Sequence, residues 1–276
     1  MAPKELPIGI QDFPKLIEEN FIYVDKTEYY HRLLTKGSYY FLSRPRRFGK
    51  SLLITTLKAI FEGKRDLFQG LWIHDKIDWV PRPVIHLDFS LIVSRETPFA
   101  ETLSSEIDLI ATMNGFPITE GNYHEKFRTL IVQMGGKQKV AILVDEYDKP
   151  IINFLENLEK AKENRDIMKN FYAVIKGNDQ YISFFMLTGV SKFSQVSIFS
   201  DLNNLNDITL DQNFSQMLGY TQAEILHYFP TYLDDLKARW ATTFPDVMAE
   251  MKAWYNGYSW DGEHDVYNPF SILNLF

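Results

Sequence analysis

The chain has 276 residues, 45% hydrophobic and 24% charged, with a formal net charge of −7 and no cysteine. That length supports one large domain, or a core with a smaller appendage. The negative balance gives no general attraction for nucleic acid, and the missing cysteine excludes disulfides, thiolate catalysis and cysteine-ligated zinc.

The opening residues, MAPKELPIGIQDFPKLIEEN, have no long apolar core behind a positive start, so they do not read as a secretion signal. No window approaches 18 uninterrupted apolar residues, and a soluble cytoplasmic protein is the expectation. Residues 1–37 read as a lead-in with one helix, Thr27 to Thr35. Strand and helix patterns then alternate. Strands are expected at Tyr39–Ser43, Pro83–Phe89, Lys139–Asp145 and Tyr181–Val190, with a last short one near Asp207–Leu210. Helices are expected at Ser51–Phe61, Phe99–Met113, Tyr123–Met134, Ile151–Ala161 and Arg165–Lys176. Apolar strands separated by helices define an α/β fold, a parallel sheet with helices on both faces. After Asp211 the pattern turns helical, at Thr221–Tyr228, Thr231–Thr242 and Pro245–Tyr255. The domain reading is therefore a core over 38–211 and a small, mostly helical part over 212–276. The apolar helical pattern of NPFSILNLF runs to the last residue, so we expect this to be the front part of a longer protein.

The first strand runs into SRPRRFGKSLL. A phosphate cradle needs inward-pointing backbone N–H groups, a lysine and a hydroxyl, all at a helix N-terminus where free N–H groups and the dipole favour anions. Gly49 allows close approach, Lys50 is the phosphate lysine, and Ser51 is the magnesium hydroxyl and helix cap. The candidate nucleotide-contacting stretch is Arg46, Arg47, Phe48, Gly49, Lys50, Ser51 and Leu52. Arg44 stands where G-x-x-x-x-G-K-[ST] has its first glycine, and a basic turn capped by Ser51 fits the segment equally well.

The strand VAILVDE weighs for the first reading. Its end supplies Asp145 as a magnesium ligand and Glu146 as the general base for water. Both motifs close strands of one parallel sheet, where ligands of such sheets sit. At the end of FFMLTGVSK, Thr188, and after it Ser191, is a candidate to hold water or the outer phosphate. Either one fits a solvent-facing strand end as well. Asp88, closing its strand in the same way, fits a further magnesium-sphere acid or a helix cap, the cap being the favoured reading. The six histidines are scattered and predict no zinc site. Tyr23–Tyr30 fits a segment over a base or a helix packed on the sheet. Trp254–Tyr258 reads as a helix ending in a glycine turn.

RPRRFGKS, ILVDEYDKP and LTGVSKFS, with the early YVDKTEYYHRLL and the late WYNGYSW and VYNPFSIL, resemble the bacterial and archaeal AAA-ATPase-like family. The resemblance runs from about Leu6 to Phe276, and in that family arginine in place of the first glycine is normal. It implies the three-layer sandwich of phosphate-loop NTPases, with a winged-helix-like or helical lid. It matches Lys50 and Ser51 to the family's phosphate loop and Asp145 and Glu146 to its acidic pair. Many longer members carry a nuclease-like domain of the PD-(D/E)XK type after the ATPase part, and no acid-x-lysine core of that kind is found here. The expected activity is magnesium-dependent ATP hydrolysis coupled to movement of the lid or a partner, with Glu146, Lys50 and Thr188 catalytic and Ser51 and Asp145 on the metal. Two alternatives stand beside it: an ATP-gated switch with little hydrolysis, and the ATPase part of a nucleic-acid-processing protein. A protein partner, a C-terminal effector domain, a homo-oligomer and an arginine finger from a neighbour are compatible with the sequence; a membrane is not.

Overall fold

The computed structural model describes residues 4–118, 120–192, 199, 202, 204–241 and 243–276. Five strands, β1 (Tyr39–Ser43), β2 (Val84–Asp88), β3 (Val140–Asp145), β4 (Ile182–Gly189) and β5 (Asn206–Asp207), form one sheet in the order β2-β3-β4-β1-β5. Every pairing in it is parallel. Among the described residues there are twelve α-helices. Eight lie before β5: α1 (Phe13–Glu18), α2 (Thr27–Lys36), α3 (Lys50–Phe61), α4 (Phe89–Ile92), α5 (Phe99–Met113), α6 (Tyr123–Gly135), α7 (Lys149–Ile152) and α8 (Leu158–Gly177). Four follow it: α9 (Gln222–Tyr228), α10 (Pro230–Trp240), α11 (Phe244–Tyr255) and α12 (Pro269–Leu275).

The central strands β1, β3 and β4 are mostly apolar because both sheet faces are covered there, and successive side chains point to opposite faces. Phe41, Ile142, Val144, Phe185 and Leu187 pack with α5, α6 and α8 residues such as Leu103, Leu130 and Phe171. Tyr40, Leu42, Leu143, Phe184 and Met186 point the other way, onto Phe13, Leu33, Leu53 and Leu57 of α1, α2 and α3. Each such fully buried side chain contributes about 1.5–3 kcal/mol relative to an exposed one.

The register fixes the functional edge. Asp88 pairs with Asp145, Val144 with Leu187, Leu42 with Thr188 and Ser43 with Gly189. The carboxyl ends of β1, β3 and β4 therefore finish side by side, with β4 between the other two.

Three elements depart from the sequence reading. The lead-in holds a second helix, α1, capped by the Asp12 carboxylate and opened by proline. The helix expected at Ile151–Ala161 is divided: α7 ends at Ile152, and α8 starts afresh at Leu158 under an Asn157 cap. The glycine turn expected at Gly257 is part of a strand. β6 (Asn256–Ser259) pairs antiparallel with β7 (Asp265–Tyr267), because the aromatic residues on both sides of Gly257 favour a pleated surface over a helix end.

Beyond β5, helices α9 to α12 build their own core from Ile225, Leu233, Leu236, Val247, Met251, Tyr267 and Ile272. A further cluster of Ile22, Val24, Phe229 and Leu273 ties the lead-in to these helices. So does the buried Lys26, whose ammonium lies 2.6 Å from a Glu224 carboxylate oxygen. No helix of the described residues is long and apolar enough to cross a membrane.

Candidate nucleotide site

The turn between β1 and α3 is built on two left-handed residues, Arg47 (φ 69°) and Gly49 (φ 90°). Gly49 holds the N-cap position of α3 with no side chain bonded to the free amides, so the first turn faces outward uncapped. Ser51 is therefore not the cap that the sequence suggested. Its hydroxyl instead lies beside the Asp145 carboxylate at the end of β3 and favours its charged form. The Lys50 side chain curls back over the turn, its Nζ donating to the carbonyls of Arg44 (2.9 Å) and Pro45 (3.0 Å). Burial lowers the Lys50 pKa, opposed by the charges of Asp145, Glu146 and Asp148. The strand-end acids thus act electrostatically on the loop lysine.

Asp145 is almost fully buried. Burial raises its pKa, while hydrogen bonds from Ser51 and Thr188 pull it down. Its Oδ1 accepts from the Glu146 amide at 2.9 Å and from the Thr188 hydroxyl. Thr188 is fully buried, so its hydroxyl serves Asp145. Ser191 donates to Asp148 from both backbone (2.8 Å) and hydroxyl (2.9 Å). Asp88 caps α4 through the Ser90 amide. Glu146 sits in the left-handed region (φ 51°), a conformation that costs a non-glycine residue about 1–3 kcal/mol and clusters at functional sites.

A cleft of about 330 Å³ opens above the turn. Arg46, Arg47, Gly49, Lys50, Ser51 and Leu52 line its floor, Glu146 and Lys149 one wall, and Pro7, Ile10, Pro269 and Phe270 the rest. A smaller apolar annex adjoins it between the lead-in and the segment 217–220, lined by Tyr23, Val24, Tyr30, Phe48, Leu52 and Met217. Tyr23 and Tyr30 are buried in the core beneath α2, so they present little ring surface to a ligand.

Arg44, at the first-glycine position, points down rather than into the cleft. It is buried, donates to the carbonyls of Ser43 (2.9 Å) and Thr209 (2.6 Å), and lies 4.3 Å from the Trp260 ring. Burial brings its guanidinium down to about 10, against the upward pull of Asp207. Phe48 packs edge-on against Tyr258 and Trp260, and Arg47 lies over Phe270. Among the described residues no cluster of three His, Asp or Glu side chains is arranged to hold a metal. The donors facing one another are the Ser51 hydroxyl and the Asp145 carboxylate. That sparse set fits magnesium, which keeps waters and takes most other ligands from phosphates.

Sequence reasoning missed Lys149, Asp148 and the wall supplied by Pro7, Ile10 and Phe270. Only Lys149 left a trace, as the cation three residues after the acid in DEYDK.

The family model described as predicted AAA-ATPase matches residues 7–199, and the chain belongs to that family. It is 45% identical, over 284 aligned positions, to an uncharacterized protein in the vnfD 5′ region of Azotobacter chroococcum mcd 1. The alignment takes in the whole chain and 52% of that protein, so the chain spans about half of its relative's length. No solved structure matches it significantly.

Proposed function

We propose that the chain is a magnesium-dependent ATPase with the phosphate-loop three-layer sandwich, residues 38–211, followed by a helical lid, residues 212–276. Helices α9 to α11 followed by the β6–β7 hairpin support a winged-helix-like lid. One observation carries the reading: the uncapped start of α3, Lys50, Ser51 and Glu146 line a single cleft, with Asp145 buried beside Ser51.

In this reading the triphosphate rests on the amides of Lys50, Ser51 and Leu52, with Arg46 and Arg47 at the rim and Lys50 released from the loop carbonyls onto the outer phosphates. Ser51 and Asp145 would hold magnesium, which when bound would neutralise charge on the phosphate oxygens. Thr188 keeps the Asp145 carboxylate oriented. Water attacks the terminal phosphorus and passes its proton to Glu146. The bond from that phosphorus to the bridging oxygen breaks, its electron pair leaving on the diphosphate. The apolar annex suits a flat aromatic base. The contacts of Arg47 and Phe48 with Phe270, Tyr258 and Trp260 support transmission from the loop to the lid.

Calorimetric titration with ATP and magnesium, alongside phosphate release, tests this. Lys50→Ala should lose about 2–5 kcal/mol of binding. Glu146→Gln should bind ATP and release phosphate about 100- to 10,000-fold more slowly. Equal release by Glu146→Gln and the parent would instead favour the nucleotide-gated switch. One observation speaks for that second reading: Glu146 is already engaged, 3.1 Å from the Lys149 ammonium.

A further inference from the structure

The Glu146–Lys149 pair is built by the backbone. The left-handed turn at Glu146 is fixed by its amide on Asp145 Oδ1 and by the Lys149 amide donating to the Glu146 carbonyl at 3.0 Å. This turn brings two side chains three residues apart onto the same wall of the cleft, facing the floor that holds Lys50 and Ser51. Lys149 Nζ then lies 3.1 Å from Glu146 Oε2, with both side chains about three-quarters covered.

An ammonium beside Glu146 Oε2 competes with water for that carboxylate. Of the other cations near the loop, Lys50 is bonded to the loop carbonyls, Arg44 is buried against Trp260 and Arg47 lies over Phe270, while Arg46 lines the cleft on the loop side. Lys149 alone among these is paired with the candidate base.

We propose that Lys149 is a catalytic cation supplied by the chain itself, which exchanges partners during turnover. In the empty cleft it holds Glu146 shut. When a nucleoside triphosphate occupies the cleft, the multiply charged terminal phosphate outcompetes the single carboxylate for the ammonium. The exchange frees Glu146 to accept the water's proton and puts a positive charge beside the phosphoryl oxygens, the part an arginine finger plays elsewhere. This inference rests on the hydrolytic reading above.

The test compares single-turnover ATP hydrolysis and ADP affinity in the parent, Lys149→Ala, Lys149→Met, Lys149→Arg and Glu146→Gln, each first shown folded by its thermal unfolding midpoint. Lys149→Ala and Lys149→Met should lower the hydrolysis rate about a hundredfold, as loss of one preorganised charge-stabilising donor does. ADP affinity should move less than threefold, and Lys149→Arg should recover much of the rate. Parent-like hydrolysis in Lys149→Ala and Lys149→Met, with Glu146→Gln inactive, would overturn the role of Lys149 and leave the hydrolytic reading standing. Faster hydrolysis in those two variants would make Lys149 a restraint only, and would also overturn it. A parent that binds ATP without hydrolysing it would remove both.

Discussion

At the scale of single residues, the identity of a side chain says less than what it touches. In sequence Arg44 is only the residue that stands at the first-glycine position of a basic loop. Its guanidinium is buried, bonded to Ser43 and Thr209 carbonyls and covered by Trp260. Nothing in the local pattern shows this, because the groups that bury Arg44 lie more than 160 residues away. His86 gives a testable instance of the same dependence on surroundings. It lies on the edge strand β2, where burial lowers its pKa, reinforced by Lys58 and opposed by Asp88 and Glu62. A histidine lowered in the folded state contributes stability that is present above its unfolded value, near 6.5. That stability is lost as pH falls through the folded value. The parent should therefore lose stability as pH falls below about 6.5, and His86→Leu should show a flatter profile there. Thermal unfolding midpoints of both proteins at several pH values decide it, and parallel profiles would show that His86 titrates alike in both states.

At the scale of elements, the site depends on how closely the strand ends pack. Gly189 closes β4, and a Cβ there would lie 2.4 Å from two Tyr147 ring carbons and 3.0 Å from Asp148 Oδ1. Tyr147 is fully buried and its hydroxyl donates to the Ser191 carbonyl, so the ring has little room to yield. Gly189→Ala should cost about 1–3 kcal/mol by overpacking. Because Tyr147 and Asp148 follow Glu146 directly, it should also reduce hydrolysis more than nucleotide affinity. Denaturant unfolding with a kcat and KM comparison reads both effects; unchanged kcat with full stability would show that the β3–β4 contact does not set the site. The strands were legible in sequence for a related reason. In β1 and β3 every residue is buried, so the apolar run and the element coincide. Periodicity recovered the long α5 to the residue and left others displaced. α1 is too short to display a repeat, and the α7–α8 break is set by the Asn157 cap rather than by a change in polarity. The motif order placed Lys50, Ser51, Asp145 and Glu146 at strand ends. Only the register β3-β4-β1 brings those ends together, and it also puts Lys149 on the same wall.

At the scale of the whole molecule, the turn between β1 and α3 is a place where the sheet and the C-terminal elements meet. Arg44 lies over Trp260, Phe48 packs edge-on against Trp260 and Tyr258, and Arg47 lies over Phe270. All four contacts come from a five-residue stretch, so any rearrangement of the loop around a triphosphate must be felt at the β6–β7 hairpin and at α12. Movement of Lys50 off the Arg44 and Pro45 carbonyls is one such rearrangement, since it frees the backbone immediately above the Arg44 guanidinium. Trp260 is then a built-in reporter: its indole is 4.3 Å from that guanidinium and 5.5 Å from the Phe48 ring. Addition of ATP and magnesium should change the tryptophan emission of the parent, and Trp260→Phe should lose most of that change while retaining ATP affinity within about tenfold, a difference of 1.4 kcal/mol. Trp260→Ala removes the ring altogether and should cost about 1–2 kcal/mol of stability through the lost cation–π and packing contacts. In that variant the protection that ATP gives the α10–α12 region against limited proteolysis should disappear even though ATP still binds. Equal emission changes in the parent and Trp260→Phe would mean that the loop accepts nucleotide without disturbing the hairpin, and the coupling would have to run through another contact, with the Lys26–Glu224 pair the next to test.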